Sequence, residues 1–304
     1  MIILDTIFPL FALLFLGGIL KKFNITNEHY LKISDKLVYF IFFPAMLFWK
    51  IGGSSSKEGI SIGLFLAAVI AVCIVYILSL VSMKLFKISS YQSGAFSQAC
   101  YRFNSYLGMA IVLNILNEPG ARHFGILAGF IIPVINILAV STLIWFSGNE
   151  LRFKAKIDFL IKALISNPLI IGCVAGIFFS NANIGFPVFV DNTFSLMTSV
   201  TLPLALISIG GSLSFAGLAK HMKVAILASF FKLILLPLAG YLLLKAFNVT
   251  GVPFKTGMIF FALPASTAIY VLSSQLNSDT ELASAAIMLS TLLSFFPLSI
   301  ALLI

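Results

Sequence analysis

Apolar runs long enough to cross a bilayer recur ten times along this chain, and that repetition leaves few folds open to it. The runs fall at roughly 4–20, 32–51, 60–85, 92–116, 122–147, 158–180, 192–215, 220–246, 254–276 and 281–303. Each is close to the ~20 residues that a helix needs to cross ~30 Å of hydrocarbon. In hydrocarbon every backbone N–H and C=O must be satisfied within the protein, and a helix does this inside one segment. Composition agrees: 60% of the 304 residues are hydrophobic and 10% charged, against about 25% charged in a soluble domain. Mean hydropathy is +1.10. The expected fold is therefore all-α and integral to a membrane, with ten transmembrane helices.

The connections, among them "KKFNITNEHY", "GGSSSKEG" and "SGNELRFKAK", are short and polar. None has room for a soluble catalytic module. The first run follows Asp5 without a basic leader, so it reads as a span and not as a cleaved signal. Cys73, Cys100 and Cys173 lie in apolar runs and form no CxxC pair; they read as packing residues, with no disulfide framework and no metal site.

The net charge of +9 marks cytoplasmic loops, not a nucleic-acid partner. Lys21, Lys22, Lys32, Lys36, Lys84, Lys87, Arg152, Lys154, Lys156, Lys162, Lys220 and Lys223 follow odd-numbered runs. Lys50, Lys57, Arg122, Lys245 and Lys255 follow even-numbered ones. This bias puts the odd loops in the cytoplasm and both termini outside a bacterial-type plasma membrane.

One offset pairs the two halves. Pro9-Leu10 and Gly17 match Pro168-Leu169 and Gly176, 159 residues later; Asn24-Ile25 matches Asn183-Ile184, and Pro44 matches Pro203. Repeats of about 1–150 and 160–304 would hold five helices each. Five is odd, so the second repeat enters the membrane from the opposite side, the inverted arrangement of many secondary transporters. The same offset sets Ser105 against Pro264 and pairs the fourth helix with the ninth. Both should be broken: Pro264 lacks an N–H and crowds the preceding turn, while Asn104 and Gly108 act more weakly in the fourth. Broken helices at midplane are where such proteins bind substrate.

Arg102 lies in that fourth run. A cation there costs roughly 2.5–3.5 kcal/mol on insertion scales, and the neighbouring sequence offers no acid. As a brace it would hold open carbonyls; as a receptor its planar fork would bind a carboxylate. Gln98, Asn104 and Ser105 on the fourth helix, Asn136 on the fifth, and Ser266, Thr267, Tyr270 and Gln275 on the ninth complete the candidate substrate-binding set, with Gly108 and Pro264 at the crossover. Gln98 and Arg102 share one helical face, as do Ser266 and Tyr270. Lys232 reads as snorkelling or carbonyl-paired. The ten acidic residues and His29, His123 and His221 fall in connections or at run ends, so a midplane proton relay is not expected. No HExxH, GxSxG, paired intramembrane Asp or Cys-His pattern appears, which argues against an enzyme.

The chain resembles the auxin efflux carrier family, the bacterial relatives of plant PIN transporters. "FFPAMLF", "RFNSYLG", "LPLALISIGGSLSF", "LPASTAIYVLSSQ" and "ASAAIMLSTLLSFFPLSI" carry the resemblance. It implies two inverted five-helix repeats similar to the bile-acid sodium symporter fold, with helices 4 and 9 crossing at the substrate site. It implies a scaffold of helices 1, 2, 6 and 7 (1–56 and 157–216) and a transport domain of helices 3–5 and 8–10 (57–156 and 217–304). The implied activity is secondary active or facilitative transport of auxin-like monocarboxylates or malate- or malonate-like dicarboxylates by an elevator motion. Met109-Ala110 stands where many relatives have Leu-Pro or Phe-Pro. A sodium-coupled symporter, with Na+ on crossover carbonyls and hydroxyls, is the alternative; an anion channel and a ligand sensor are more distant ones. The expected partners are a small organic anion, the bilayer and, as an option, a second copy of the chain. No resident cofactor is expected.

Overall fold

Helix punctuation in this sequence comes from caps, prolines and asparagines, and it can be followed element by element. The computed structural model describes residues 2–53, 61–146, 166–182, 184–213 and 217–304. Asn183, the loop basic residues Lys57, Arg152, Lys154, Lys156 and Lys162, and the expected domain limits at 56–57, 156–157 and 216 lie outside them.

Helix α1 (Ile2–Lys22) carries Asp5 in its first turn and Lys21 and Lys22 in its last, the order that favours the helix dipole. Asn27 caps α2 (Glu28–Leu37) by accepting a bond from the Tyr30 N–H at 2.8 Å. The helix then widens into a π-turn, Val38–Phe42, before α3 (Phe43–Gly52). Pro44 explains the widening: its ring clashes with the carbonyl four residues back, and one extra residue in the turn relieves the clash. The same device recurs ahead of Pro237, where α9 (Leu218–Phe230) passes through a π-turn, Phe231–Leu235, into α10 (Leu236–Ala246).

Between these lie α4 (Ile62–Leu85), α5 (Ser90–Tyr101), α6 (Ser105–Phe146), α7 (Pro168–Asn181) and α8 (Val188–Ser212). Asn117 interrupts α6 with φ 51° and ψ −147°. Asn24, Lys87, Asn248 and Asn277 close other helices with φ near 50°, a conformation that asparagine tolerates better than most residues. The chain ends in α11 (Gly251–Ala262), α12 (Ala268–Gln275), α13 (Thr280–Leu293) and α14 (Phe295–Leu303).

The described residues form helices and no strands. Among them, Ile62–Leu85, Ser90–Phe146, Val188–Ser212 and Leu218–Ala246 are long and apolar enough to cross a membrane, and Thr280–Leu293 with Phe295–Leu303 joins them if that pair, bent by 42°, is one span. The protein is an all-α, multi-pass membrane protein.

Two compact units divide the chain. The first comprises Met1–Ser61, Tyr106–Phe130 and Ile165–Leu213. There α1 lies on α8, and α3 on α7. Glycine makes these approaches: a Cβ on Gly17 would stand 2.0 Å from the Ile207 carbonyl oxygen, and one on Gly210 would stand 1.9 Å from that of Leu14. Lipid tails are as apolar as leucine, so helices in a bilayer associate through such close van der Waals contact. Asp35 sits in the same unit. The sequence puts it at a run end, yet α2 continues through the π-turn into α3, so it is interior to a helix and accepts a 2.5 Å bond from Ser208.

The second unit comprises Ile62–Ser105, Ile131–Leu164 and Ser214–Ile304. Here α9 packs on α13 and α5, and α10 packs on α4 and α11. Phe96, Phe260 and Phe261 are fully buried in its core. It contains both helix breaks described next.

Candidate functional site: two helix breaks that meet

Helix α5 stops at Tyr101. Arg102 is extended (φ −66°, ψ 141°), and α6 begins at Ser105. Helix α11 stops at Ala262, Leu263 is extended in the same way (φ −62°, ψ 146°), and α12 begins at Ala268. The residues between, 102–104 and 263–267, have left the helical hydrogen-bond ladder. Backbone groups freed inside a membrane must find other partners, and here they can be traced.

The Asn104 N–H donates to the Pro264 carbonyl at 3.0 Å, so the two breaks are bonded to each other. Pro264 has no N–H to satisfy. The Ala265 N–H donates to Ser290 Oγ of α13 at 3.1 Å. That leaves the Phe261 carbonyl, the acceptor that Ala265 would use in an unbroken helix, and the Lys232 ammonium reaches it at 3.4 Å. The Arg102 and Leu263 N–H groups turn back to the Gln98 and Phe260 carbonyls. Phe103 and Phe260 pack edge to face across the crossing, with centroids 4.6 Å apart.

Arg102 is 7% exposed. Its Nη1 donates to Gln98 Oε1 at 3.2 Å and its Nη2 to Asn136 Oδ1 at 3.0 Å. Gln98 is itself oriented, because its Nε2 donates to the Gly94 carbonyl at 3.1 Å. The guanidinium is thus held by amide oxygens from its own helix and from the later part of α6.

The structure brings Gln98, Arg102, Asn104, Asn136 and Pro264 together. Ser105 opens α6 and is half-buried; Gly108 is buried within α6, past the break. Ser266 and Thr267 are half-buried at the start of α12, where Ser266 Oγ accepts from the Ala268 N–H at 3.3 Å. Tyr270 and Gln275 are exposed along α12, and Gln275 is its last residue. Two participants stand outside the set expected from sequence. Ser290 leaves only a weak trace there, a Ser and Thr spacing in "LSTLLS". Lys232 is visible as a charge in an apolar run, but its partner is not.

The model of the family described as membrane transport protein matches residues 2–302. The chain belongs to that family. It is the same family as the auxin efflux carriers read from the helix motifs. An uncharacterized transporter of Methanocaldococcus jannaschii is 25% identical over 308 aligned residues, covering 99% of this chain and 98% of that one. As a member of the membrane transport protein family, the chain is a membrane transporter and not an enzyme.

Proposed function

We propose that the protein is a secondary transporter of small organic anions, with the crossing of the two breaks as its substrate site. One observation carries the reading: a buried guanidinium lies beside two backbone breaks that are bonded to each other. Amide oxygens are neutral acceptors. A carboxylate is a stronger partner for a guanidinium and can take two parallel N–H bonds from it. A mono- or dicarboxylate would therefore gain in replacing one of them, and Asn136 and Gln98 would hold the cation between transport cycles. Asn104, Ser105, Ser266 and Thr267 would supply the remaining polar contacts, with Tyr270 and Gln275 further along the path.

In this reading the chain forms ten spans as two inverted five-helix repeats. Helices 3–5 and 8–10 (57–156 and 217–304) carry the site in an elevator motion, and helices 1, 2, 6 and 7 (1–56 and 157–216) form the scaffold. Odd loops face the cytoplasm and both termini face outward. The presence of two breaks, each following a helix half of 12 residues, supports the repeat. Sodium coupling is the second reading, favoured by the hydroxyls of Ser266, Thr267 and Ser290 near freed carbonyls.

The test is uptake and counterflow in proteoliposomes against a panel of mono- and dicarboxylates, with Na+ present or replaced by N-methylglucamine. Saturable exchange of at least one carboxylate is expected. Leak-like conductance without counterflow would move the protein to the channel class, and binding without flux would make it a sensor.

A further inference from the structure

Lys232 plays no part in the substrate reading above, yet it is fully buried. Among the described residues its one hydrogen bond goes to the Phe261 carbonyl, and no carboxylate pairs with it. Its helix does not bring it there by regular winding. It sits in the π-turn Phe231–Leu235 ahead of Pro237, and single π-turns inside helices are frequent at functional positions. Ser229, one turn earlier on the same helix, is also buried, and its hydroxyl has no hydrogen-bond partner among the described residues.

The acceptor is equally particular. Phe261 lies one residue before the end of α11, where the last carbonyls lack intrahelical donors and the helix dipole places a partial negative charge. The donor that regular winding would give Phe261 is committed to Ser290. A freed carbonyl at a helix C-terminus, with hydroxyls close by in the fold, is the environment in which membrane carriers hold a monovalent metal ion. Here a side-chain ammonium occupies it. Lysine suits this place better than arginine, because its charge is compact and its three donors carry no planar constraint.

We infer that Lys232 is a tethered cation: its ammonium takes, at the carbonyl end of α11, the place that a coupling Na+ would take, and the carrier therefore needs no Na+. The inference rests on the transport reading and decides between its two coupling modes. Removing the ammonium while leaving the carbonyls should convert the position into a site for a free monovalent cation. The probes are Na+, K+ and methylammonium, each compared with N-methylglucamine at equal ionic strength.

Thermal unfolding of the purified full-length chain gives a readout that needs no transport. Wild type should melt at the same temperature in all four salts. Lys232→Ala should melt lower in N-methylglucamine and regain about 2–4 °C in Na+ or methylammonium, the shift expected for roughly 1 kcal/mol of ligand binding. In proteoliposomes, wild-type flux should be unchanged when Na+ is replaced. Lys232→Met, which fills the same space without charge, should transport at least tenfold more slowly in every salt.

Specific stabilisation of wild type by Na+, Na+-driven wild-type flux, a Lys232→Ala variant indifferent to the salts, or wild-type flux in Lys232→Met would each overturn the inference. If Lys232→Ala does not accumulate in the membrane, the salt series is run on Lys232→Gln with the same criteria. Should no carboxylate be transported while Lys232→Ala still gains stability from Na+, the tethered cation stands and the organic-anion reading falls. Carboxylate flux that depends on Na+ would keep the organic-anion reading and remove the tethered cation.

Discussion

The two breaks do the same thing to a helix by different means. At 263–267 the cause is covalent: Pro264 has no N–H to donate and a ring that clashes with the turn before it, so this break persists whatever surrounds it. At 102–104 there is no proline. That break is held by what its residues bond to, with Asn104 reaching the Pro264 carbonyl and Arg102 reaching Gln98 and Asn136. Their cations differ in the same sense. Arg102 belongs to its break, whereas the break at 263–267 borrows Lys232 from the π-turn before α10 and Ser290 from α13. One break is fixed by its own chemistry and braced from outside. The other is polar and adjustable, and that is the property wanted at the side that must exchange a neutral acceptor for an anion.

The largest effect should come from the adjustable break. Arg102→Gln should weaken carboxylate binding by roughly 10–150-fold, the equivalent of a hydrogen bond to a charged group. Arg102→Lys, which keeps the charge and loses the fork, should fall between that variant and wild type. Isothermal titration on monodisperse protein measures both. Normal binding by Arg102→Gln would make the residue a brace and remove the asymmetry between the breaks.

Pro264→Ala should cost less, on the order of tenfold in affinity, because the alanine restores one N–H and lets α11 extend towards the crossing. Folding should be retained. Affinity equal to wild type would show that the fixed break does not depend on its proline.

Ser290→Ala tests the outside brace. It strips the acceptor from the buried Ala265 N–H, at a cost of about 1–3 kcal/mol, which lowers the melting temperature by a few degrees with substrate affinity changed little. A larger loss of affinity than of stability would move Ser290 from brace to ligand.

The smallest effect is expected away from both breaks. Asp35→Asn should leave pH-driven accumulation as it is, since its carboxylate serves Ser208 in the other unit. Loss of accumulation with exchange preserved would identify Asp35 as a proton carrier.

Pro264 and Arg102 illustrate how far the sequence reaches into this site. Proline carries its structural consequence in its own ring, so a break near 264 can be read from one letter. The break at 102–104 depends on Asn136, 34 residues from Arg102, and on a bond to another broken segment; no local pattern encodes either. The weaker signal, Gly108, lies inside α6. The charge of Lys232 is equally plain in the sequence. Whether a long apolar stem carries it to a membrane surface or leaves it at a buried carbonyl is decided by the packing of a helix 29 residues away. The apolar runs, by contrast, follow from composition alone, and the all-α membrane fold needed no partner information.

The π-turn at Phe231–Leu235 has a consequence for the whole of its span. An α-helix advances about 100° of rotation and 1.5 Å per residue, so one surplus residue offsets the angular phase of everything after it. Helix α9 turns one side to α13 and α5, and α10 turns another to α4 and α11. A single-residue deletion within 231–235 would straighten the winding yet leave these two sets of contacts out of phase by about a third of a turn. Length is therefore constrained in this segment more tightly than residue type, and natural insertions or deletions there would have to come in whole-turn combinations to keep both faces engaged.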